Sequence, residues 1–206
     1  MCLANSASLY NRSFTAKKAC VVCYGQSGTG KTYTMSNVED VKSQDAEAEY
    51  KDYGIIPRVK TMIFRGKTRL EELGYDMNVE GCCYEIYNNE LWSLKADGNE
   101  KKSIAIDPRA FKEHSGFETL SPPSDFDALI KIGAKNWHIG VMKLNDTSSR
   151  SHFIISLETR VSLIASFSVM HEGLLNLVDL VGSEQTQKAG IAGVKLQEGI
   201  SINTSL

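Results

Sequence analysis

The sequence predicts an α/β fold, and three observations lead to this prediction. Residues 19–24, ACVVCY, form a short apolar run with β-branched valines, which is typical of a buried parallel strand. A glycine-rich loop and the start of a helix follow this run directly. Further along the chain, apolar runs with the period of a strand alternate with runs that have the period of a helix.

Composition and charge limit the classes of protein to which the chain can belong. Its 206 residues suffice for one domain with a sizeable core, and 42% hydrophobic and 23% charged residues are ordinary for a globular protein. A formal net charge of −2 argues against a general binder of nucleic acid. No apolar run approaches the length of about eighteen residues that crosses a membrane, and residues 1–18 contain no apolar core of a secretion signal. We therefore expect no membrane partner.

The five cysteines favour a reducing, cytoplasmic setting, because their number is odd and their spacing is not that of a disulfide framework. Cys20 and Cys23 form C-x-x-C, so a redox pair is one interpretation. In a strand, however, this spacing puts the two side chains on opposite faces. We favour inert, buried thiols. Cys82, Cys83 and Trp92 are expected to serve packing only.

In the first half of the chain, the helix after the glycine loop should begin near Gly30 and continue through KTYTM. Residues 37–53 are polar without an apolar period and predict an exposed loop. Residues 56–73 have helical spacing, with Pro57 suited to a first turn. Residues 75–94 contain a strand whose predicted inward face consists of Met77, Val79, Gly81 and Cys83.

In the second half, residues 104–106 alternate as a short strand, and Ser124 is the expected cap of a helix. The apolar stripe of that helix contains Phe126 and Gly133. Strands are predicted at 152–162 and 174–180, and a final helix near Leu196.

Residues 25–32, GQSGTGKT, match G-x-x-x-x-G-K-[ST] without a mismatch. Such a loop curls backbone N–H groups around the α- and β-phosphates of a nucleotide, and the helix that it opens adds a favourable dipole. Lys31 is then expected to reach the β- and γ-phosphates, and the Thr32 hydroxyl to bind Mg²⁺.

Two further segments offer a means of detecting the γ-phosphate. DLVGSE supplies Asp179 at the end of a strand, where it can hold a water on Mg²⁺, and Gly182, whose N–H can bond a γ-phosphate oxygen. NDTSSRSH supplies short hydroxyl donors for the charge that develops on the transferred phosphoryl group. Arg150 and Glu184 carry opposite charges in these segments and could pair as a latch; as exposed charges they would contribute under about 1 kcal/mol.

Together these segments resemble the kinesin motor domain. The resemblance covers residues 19–206, with residues 1–18 divergent, and it rests on six blocks in the family's order: YGQSGTGKTYTM (24–35), GIIPR (54–58), EIYNNE (85–90), NDTSSRSH (145–152), LNLVDLVGSE (175–184) and INTSL (202–206).

The resemblance implies a role for each residue of these blocks. The phosphate cradle comprises Gly25, Gln26, Ser27, Gly28, Thr29, Gly30, Lys31 and Thr32, and Tyr33 stacks on the adenine. Thr32 and Ser149 ligate Mg²⁺, and Asp179 acts on it through water. The γ-phosphate is faced by Asn145, Ser148 and Ser149 and sensed by Gly182. Arg150 and Glu184 form a salt bridge that helps to position the attacking water.

The resemblance also implies a fold and an activity. The fold is a P-loop NTPase-like, mostly parallel central sheet with helices on both faces, which we expect to be incomplete at both ends. The activity is ATP hydrolysis with Mg²⁺, stimulated by microtubules and coupled to movement in the cytoplasm and cytoskeleton, with tubulin as partner and a possible dimer formed through other regions. DFDALIKIGAKNWHIG (125–140) leans toward the minus-end-directed branch that carries its motor at the C-terminus.

The motor core is the leading hypothesis, and several departures from the family pattern leave open an alternative, a truncated and non-motile fragment that binds nucleotide or serves only as an interaction module. An upstream Arg-x-Arg-Pro segment and the C-terminal helices are expected to be missing, so exposed apolar faces, poor stability and aggregation are predicted. Val181 stands where the family has alanine, and three positions lack the usual basic residue: Trp137, Gln185 and Thr204. A GTPase is disfavoured because no Asn-Lys-x-Asp motif is present.

Some residues keep a plain structural interpretation beside the functional one. His152 is expected to pack at a strand start rather than to act as a base. Ser151 is expected to bond backbone rather than a ligand. Tyr33 could be only a half-buried helix residue, and Lys188 and Lys195 could be solvated or could face the microtubule.

Overall fold

The computed structural model describes residues 18–36, 53–87, 90–95, 103–104, 116–143 and 151–183. Within these ranges the chain forms three helices and seven strands. The helices are α1 (Lys31–Ser36), α2 (Ile55–Glu72) and α3 (Pro123–Lys143). The strands are β1 (Lys18–Cys23), β2 (Tyr75–Tyr87), β3 (Glu90–Ser93), β4 (Ser103–Ile104), β5 (Glu118–Thr119), β6 (Ser151–Leu163) and β7 (Ser168–Asp179).

The strands form one mixed sheet in the order β1-β7-β6-β2-β3-β4, with β5 paired to β2. Among the described strands only β1 and β7 are parallel, and every other pairing is antiparallel. The expectation of a mostly parallel sheet is therefore corrected to a mixed sheet. For β6 and β7 the physical reason is a tight turn at 164–167, which returns β7 directly alongside β6.

One face of the sheet and the described helices share a single core. Alternation along β2 turns Met77, Val79, Gly81 and Cys83 toward this core, as predicted. Helices α2 and α3 meet above β2, where the rings of Phe64 and Phe126 pack edge to face at 6.5 Å. The predicted helix near Leu196 and the predicted loop at 37–53, apart from Tyr53, lie outside the described residues.

Helix α3 approaches the sheet closely because Gly133 lacks a side chain. A Cβ at this position would lie 2.7 Å from Cys83 Cβ and 2.8 Å from its Sγ. The helix begins at Pro123, so the prediction that Ser124 caps it is wrong. The carboxylate of Asp125 instead accepts a bond from the Ser121 N–H at 3.1 Å, while Pro123, which has no N–H to satisfy, suits the first helical position.

Strand β1 lies at the end of the described sheet and alternates between exposed and partly buried residues. Cys20 and Cys23 lie on opposite faces, as predicted, and both are free thiols. Cys20 is exposed, so the expectation that it is buried is wrong. The residues of a strand do not specify which other elements cover it, and its burial depends on those elements. None of the described helices is long and apolar enough to cross a membrane.

Candidate functional site

The glycine-rich loop connects β1 to α1 and adopts a conformation that its glycines permit. Gly28 and Gly30 have φ values of 79° and 86°, in the left-handed region that side chains disfavour. At Gly25 a side chain is excluded by lack of space, because a Cβ there would lie 2.8 Å from Thr29 Oγ1. The Thr29 hydroxyl donates to the Gln26 carbonyl at 2.7 Å and closes the turn. The loop is therefore shaped by its own sequence.

Lys31 turns back over this loop. Its ammonium donates to the carbonyls of Gly25 and Gln26, each at 2.8 Å. An ammonium has three N–H donors, so one remains without a partner among the described residues. The charge of Lys31 is thus held at the mouth of the loop, where a phosphate would be neutralised.

Asp179, the last residue of β7, contacts the first turn of α1. The Thr32 hydroxyl donates to Asp179 Oδ2 at 2.7 Å, although the two residues are 147 positions apart. Asp179 Oδ1 is buried and has no hydrogen-bond partner within the described part of the chain. Burial raises the pKa of this carboxyl above its ordinary value of 3.8, and the Thr32 hydroxyl and the Lys31 charge act in the opposite direction.

This pair fits a magnesium ion. Mg²⁺ prefers hard oxygen ligands and is usually held by one or two carboxylates together with water and phosphate oxygens. A threonine hydroxyl and a carboxylate with one unpaired oxygen supply that chemistry beside the phosphate loop. The residues present therefore suit the ion that the sequence analysis expects.

The segment after β7 runs along the phosphate loop and is tied to it by backbone bonds. The Leu180 N–H donates to the Cys23 carbonyl at 3.3 Å, and the Ser183 N–H donates to the Gly25 carbonyl at 3.1 Å. Gly182 lies between these two bonds. The candidate γ-phosphate sensor is therefore held next to the loop that would bind the nucleotide.

A third bond fixes the same segment from the other side. The Val181 N–H donates to His152 Nδ1 at 3.1 Å. His152 is buried, and desolvation lowers the pKa of its imidazole below 6.5. A neutral ring with an unprotonated Nδ1 is the form that can accept this bond, so His152 has the structural role that the sequence favours.

The phosphate loop, the start of α1 and the segment after β7 border one pocket of about 330 Å³. Most of the predicted residues that fall within the described ranges line it: Ser27, Gly28, Gly30, Lys31, Thr32, Tyr33, Asp179 and Gly182. Three other predicted residues, Gly25, Gln26 and Thr29, belong to the loop but do not line the pocket. The predicted site residues Asn145, Ser148, Ser149, Arg150 and Glu184 lie outside the described residues, as do Lys188 and Lys195. Tyr33 is 57% exposed, so its ring is accessible to a ligand.

Four residues of the pocket were not predicted as site residues: Trp137, Ser151, Leu180 and Val181. Trp137, from α3, donates through Nε1 to Ser151 Oγ at 2.8 Å, and both residues line the pocket. The bond partner of the Ser151 hydroxyl is thus a side chain, not backbone as expected. The only feature of the sequence that distinguished Trp137 was that the family usually has arginine at this position. That difference did not indicate which atoms the indole contacts.

Comparisons with known proteins relate nearly the whole chain to one family. The family model described as the kinesin motor domain matches residues 3–206. Kinesin-like protein klpA of Emericella nidulans is 35% identical over 209 residues, which cover 97% of this chain and 25% of klpA.

Solved structures give the same relationship. The motor domain of the Kar3-like kinesin from Ashbya gossypii superposes with a TM-score of 0.66 at 25% identity, covering 97% of this chain and 55% of that one. A KIF14 dimer in a two-heads-bound state, with AMP-PNP and in complex with a microtubule, gives a TM-score of 0.73 at 28% identity, covering 97% and 55%. These relatives confirm the predicted P-loop NTPase-like α/β fold, and the Kar3-like structures support the lean toward the C-terminal-motor branch. The chain spans about a quarter of klpA and about half of the solved motor chains.

Proposed function

Because the chain belongs to the kinesin motor domain family, we propose that it is the ATP-binding and ATP-hydrolysing core of a microtubule motor. The observation that carries the proposal is the 2.7 Å bond between Thr32 and Asp179. This bond joins the end of the phosphate loop to the segment that contains Gly182, so the nucleotide-binding element and the candidate sensor form one site.

The loop would bind the nucleotide through its backbone and through Lys31. Residues 25–32 present N–H groups at the start of α1, where the helix dipole favours negative charge. The Lys31 ammonium, already anchored on two carbonyls of the loop, would direct its third N–H to the β- and γ-phosphates. The exposed ring of Tyr33 would stack on the adenine.

Thr32 and Ser149 would bind Mg²⁺ directly, and Asp179 would bind it through water. The ion, when bound, neutralises charge on the phosphate oxygens and so stabilises the transition state of phosphoryl transfer. Asp179 contributes a carboxylate whose Oδ1 is buried and has no hydrogen-bond partner in the described residues. A water on the ion would donate a hydrogen bond to this oxygen and so remove the cost of leaving it unpaired. Thr32 orients that carboxylate through Oδ2.

Hydrolysis would be governed by residues that respond to the γ-phosphate. The Gly182 N–H would donate to a γ-phosphate oxygen, since its backbone lies beside the loop between two fixed residues. By the family resemblance, Asn145, Ser148 and Ser149 would face the same phosphate, and Arg150 and Glu184 would pair to position the attacking water. Loss of the γ-phosphate would release the Gly182 contact and change the affinity for the track.

Microtubules are the proposed track, and the cytoplasm and cytoskeleton the proposed location. The KIF14 relative is solved on a microtubule, which supports this partner for a chain that matches 55% of it. A dimer, if formed, would be made through regions other than the nucleotide site.

The test is the ATPase rate with and without microtubules. We expect MgATP hydrolysis by this chain, and stimulation by taxol-stabilised microtubules beyond the basal rate. Lys31→Ala serves as the inactive control, and the motor domain of klpA as the positive control. Hydrolysis without stimulation would leave a nucleotide-binding module and overturn the motor assignment.

Nucleotide identity needs a separate measurement. A ligand present at about a hundred times its Kd stabilises the folded state by about 2.7 kcal/mol. MgATP should therefore raise the melting temperature more than MgGTP at equal concentration, since the sequence contains no Asn-Lys-x-Asp motif to read guanine. Equal shifts for the two nucleotides would contradict the ATP assignment.

A further inference from the structure

Trp137 connects helix α3 with the phosphate pocket. It projects from α3 and lines the pocket together with Lys31 and Asp179. Its indole stacks on Phe153 of β6, with ring centroids 5.2 Å apart and planes inclined by 25°. Phe153 is buried in the core, so the orientation of the indole is fixed by packing.

The indole N–H then holds the first residue of β6. Nε1 donates to Ser151 Oγ at 2.8 Å, and Ser151 is only 5% exposed. The bond is part-buried, and because Ser151 itself is buried, its hydroxyl could not readily replace the indole N–H with water. The start of β6 is therefore tied to α3.

The next residue passes this constraint to the candidate sensor. His152 follows Ser151 and accepts the bond from the Val181 N–H at 3.1 Å. Val181 is buried and directly precedes Gly182. A continuous set of contacts thus leads from Trp137 through Ser151 and His152 to the backbone beside Gly182.

From these contacts we propose that Trp137 is a positioning residue for recognition of the γ-phosphate. It acts through Ser151 and His152 to hold the Gly182 N–H at the distance that a γ-phosphate oxygen requires. The proposal deepens the proposed function and rests on it, since it assumes that the pocket binds a nucleoside triphosphate. If Trp137 served packing alone, its replacement would lower stability but would not change the affinity for a triphosphate more than that for a diphosphate.

The experiment compares the affinities of two nucleotides by isothermal titration calorimetry. Trp137→Phe keeps an aromatic ring against Phe153 and removes the N–H, and Ser151→Ala removes the acceptor. We expect each variant to bind MgAMP-PNP about three- to tenfold more weakly than the unchanged chain, the effect of one neutral hydrogen bond, and to bind MgADP within about twofold. The double variant should lose no more than either single variant, because both changes remove the same bond.

Trp92→Phe is the matched control. Trp92 lies on β3, and its Nε1 has no hydrogen-bond partner among the described residues, so this variant loses an indole without losing such a bond. It should leave both affinities unchanged. It also makes Trp137 the only tryptophan of the chain, whose emission should respond to MgAMP-PNP more than to MgADP.

The possible results separate the two proposals. If the unchanged chain binds neither nucleotide, the proposed function is overturned. If it binds both, and Trp137→Phe weakens them equally or not at all, the positioning role is overturned while the proposed function stands. Selective loss of AMP-PNP affinity with additive losses in the double variant would also overturn it, because the two side chains would then act separately.

Discussion

Replacement of Thr32 by valine tests the link between the phosphate loop and Asp179. Valine has nearly the shape of threonine but no hydroxyl, so Asp179 Oδ2 loses its 2.7 Å bond. Oδ1 already lacks a partner among the described residues, and the carboxylate of the variant would then be buried with neither oxygen bonded to them. Serine at the same position retains the hydroxyl and is the matched control.

The expected magnitude follows from the charge on the acceptor. A hydrogen bond to a charged group contributes about 1.5–3 kcal/mol, and the exposure of Thr32 favours the lower value. In a domain of this size about 1.5 kcal/mol corresponds to a decrease in melting temperature of about 3–6 °C. Thr32→Ser should remain within about 0.5 kcal/mol of the unchanged chain.

The pH dependence has a definite sign. The pKa of Asp179 is raised by burial, and loss of the Thr32 hydroxyl removes a contact that lowers it. Between the unfolded value near 3.8 and the raised folded value, the folded state binds more protons than the unfolded state, so the free energy of unfolding decreases as pH rises. The deficit of Thr32→Val should therefore be largest at neutral pH and smaller in acid, where the carboxyl is neutral.

Urea unfolding of the three chains at pH 4.5 and pH 7.5, followed by circular dichroism, measures these differences. The slope of the unfolding free energy against urea should be the same for all three, which shows that the transitions are comparable. Equal stabilities of the valine and serine variants at pH 7.5 would refute the argument. A deficit that grows toward acid would refute the assignment of the bond to the ionised carboxylate.

Three further predictions concern other parts of the structure. Gly133→Ala places a Cβ 2.7 Å from that of Cys83 and should destabilise the fold by about 1–3 kcal/mol in urea unfolding; an unchanged midpoint would contradict the close packing of α3 on β2. His152 has a lowered pKa, so the unfolded state protonates first as pH falls through 6.5; stability should decrease across that range, and His152→Asn should reduce this pH dependence. Lys31→Ala should abolish the rise in melting temperature caused by MgADP; a rise equal to that of the unchanged chain would exclude Lys31 as a phosphate contact.

The phosphate loop could be predicted from sequence because its geometry is local. The turn depends on glycines and a lysine within eight consecutive positions, and the structure gives Gly28 and Gly30 the left-handed conformation that only such residues adopt readily. The inward face of β2 was predicted for a similar reason, since alternation along one strand identifies it. Asp179 and Gly182 followed from their position after an apolar strand.

Contacts between distant elements could not be predicted in this way. The bond from Trp137 to Ser151 depends on how α3 crosses β6, and no spacing within either element specifies that crossing. The turn between β6 and β7 was missed because residues 164–167 contain no glycine, proline, asparagine or aspartate. Phe167, which is 85% exposed, adopts a φ of 53° there without being glycine. The antiparallel pairing that follows from this turn was missed with it.

The separation of 147 positions between Thr32 and Asp179 has a consequence for synthesis on the ribosome. Translation at about 5–20 residues per second delivers the partner of Thr32 roughly 7 to 30 seconds after Thr32 itself. During that interval β1 lacks β7, its neighbour in the described sheet. The side of β1 that pairs with β7 is then open to chaperones or to other chains, and the candidate nucleotide site lacks Asp179 until β7 has left the exit tunnel.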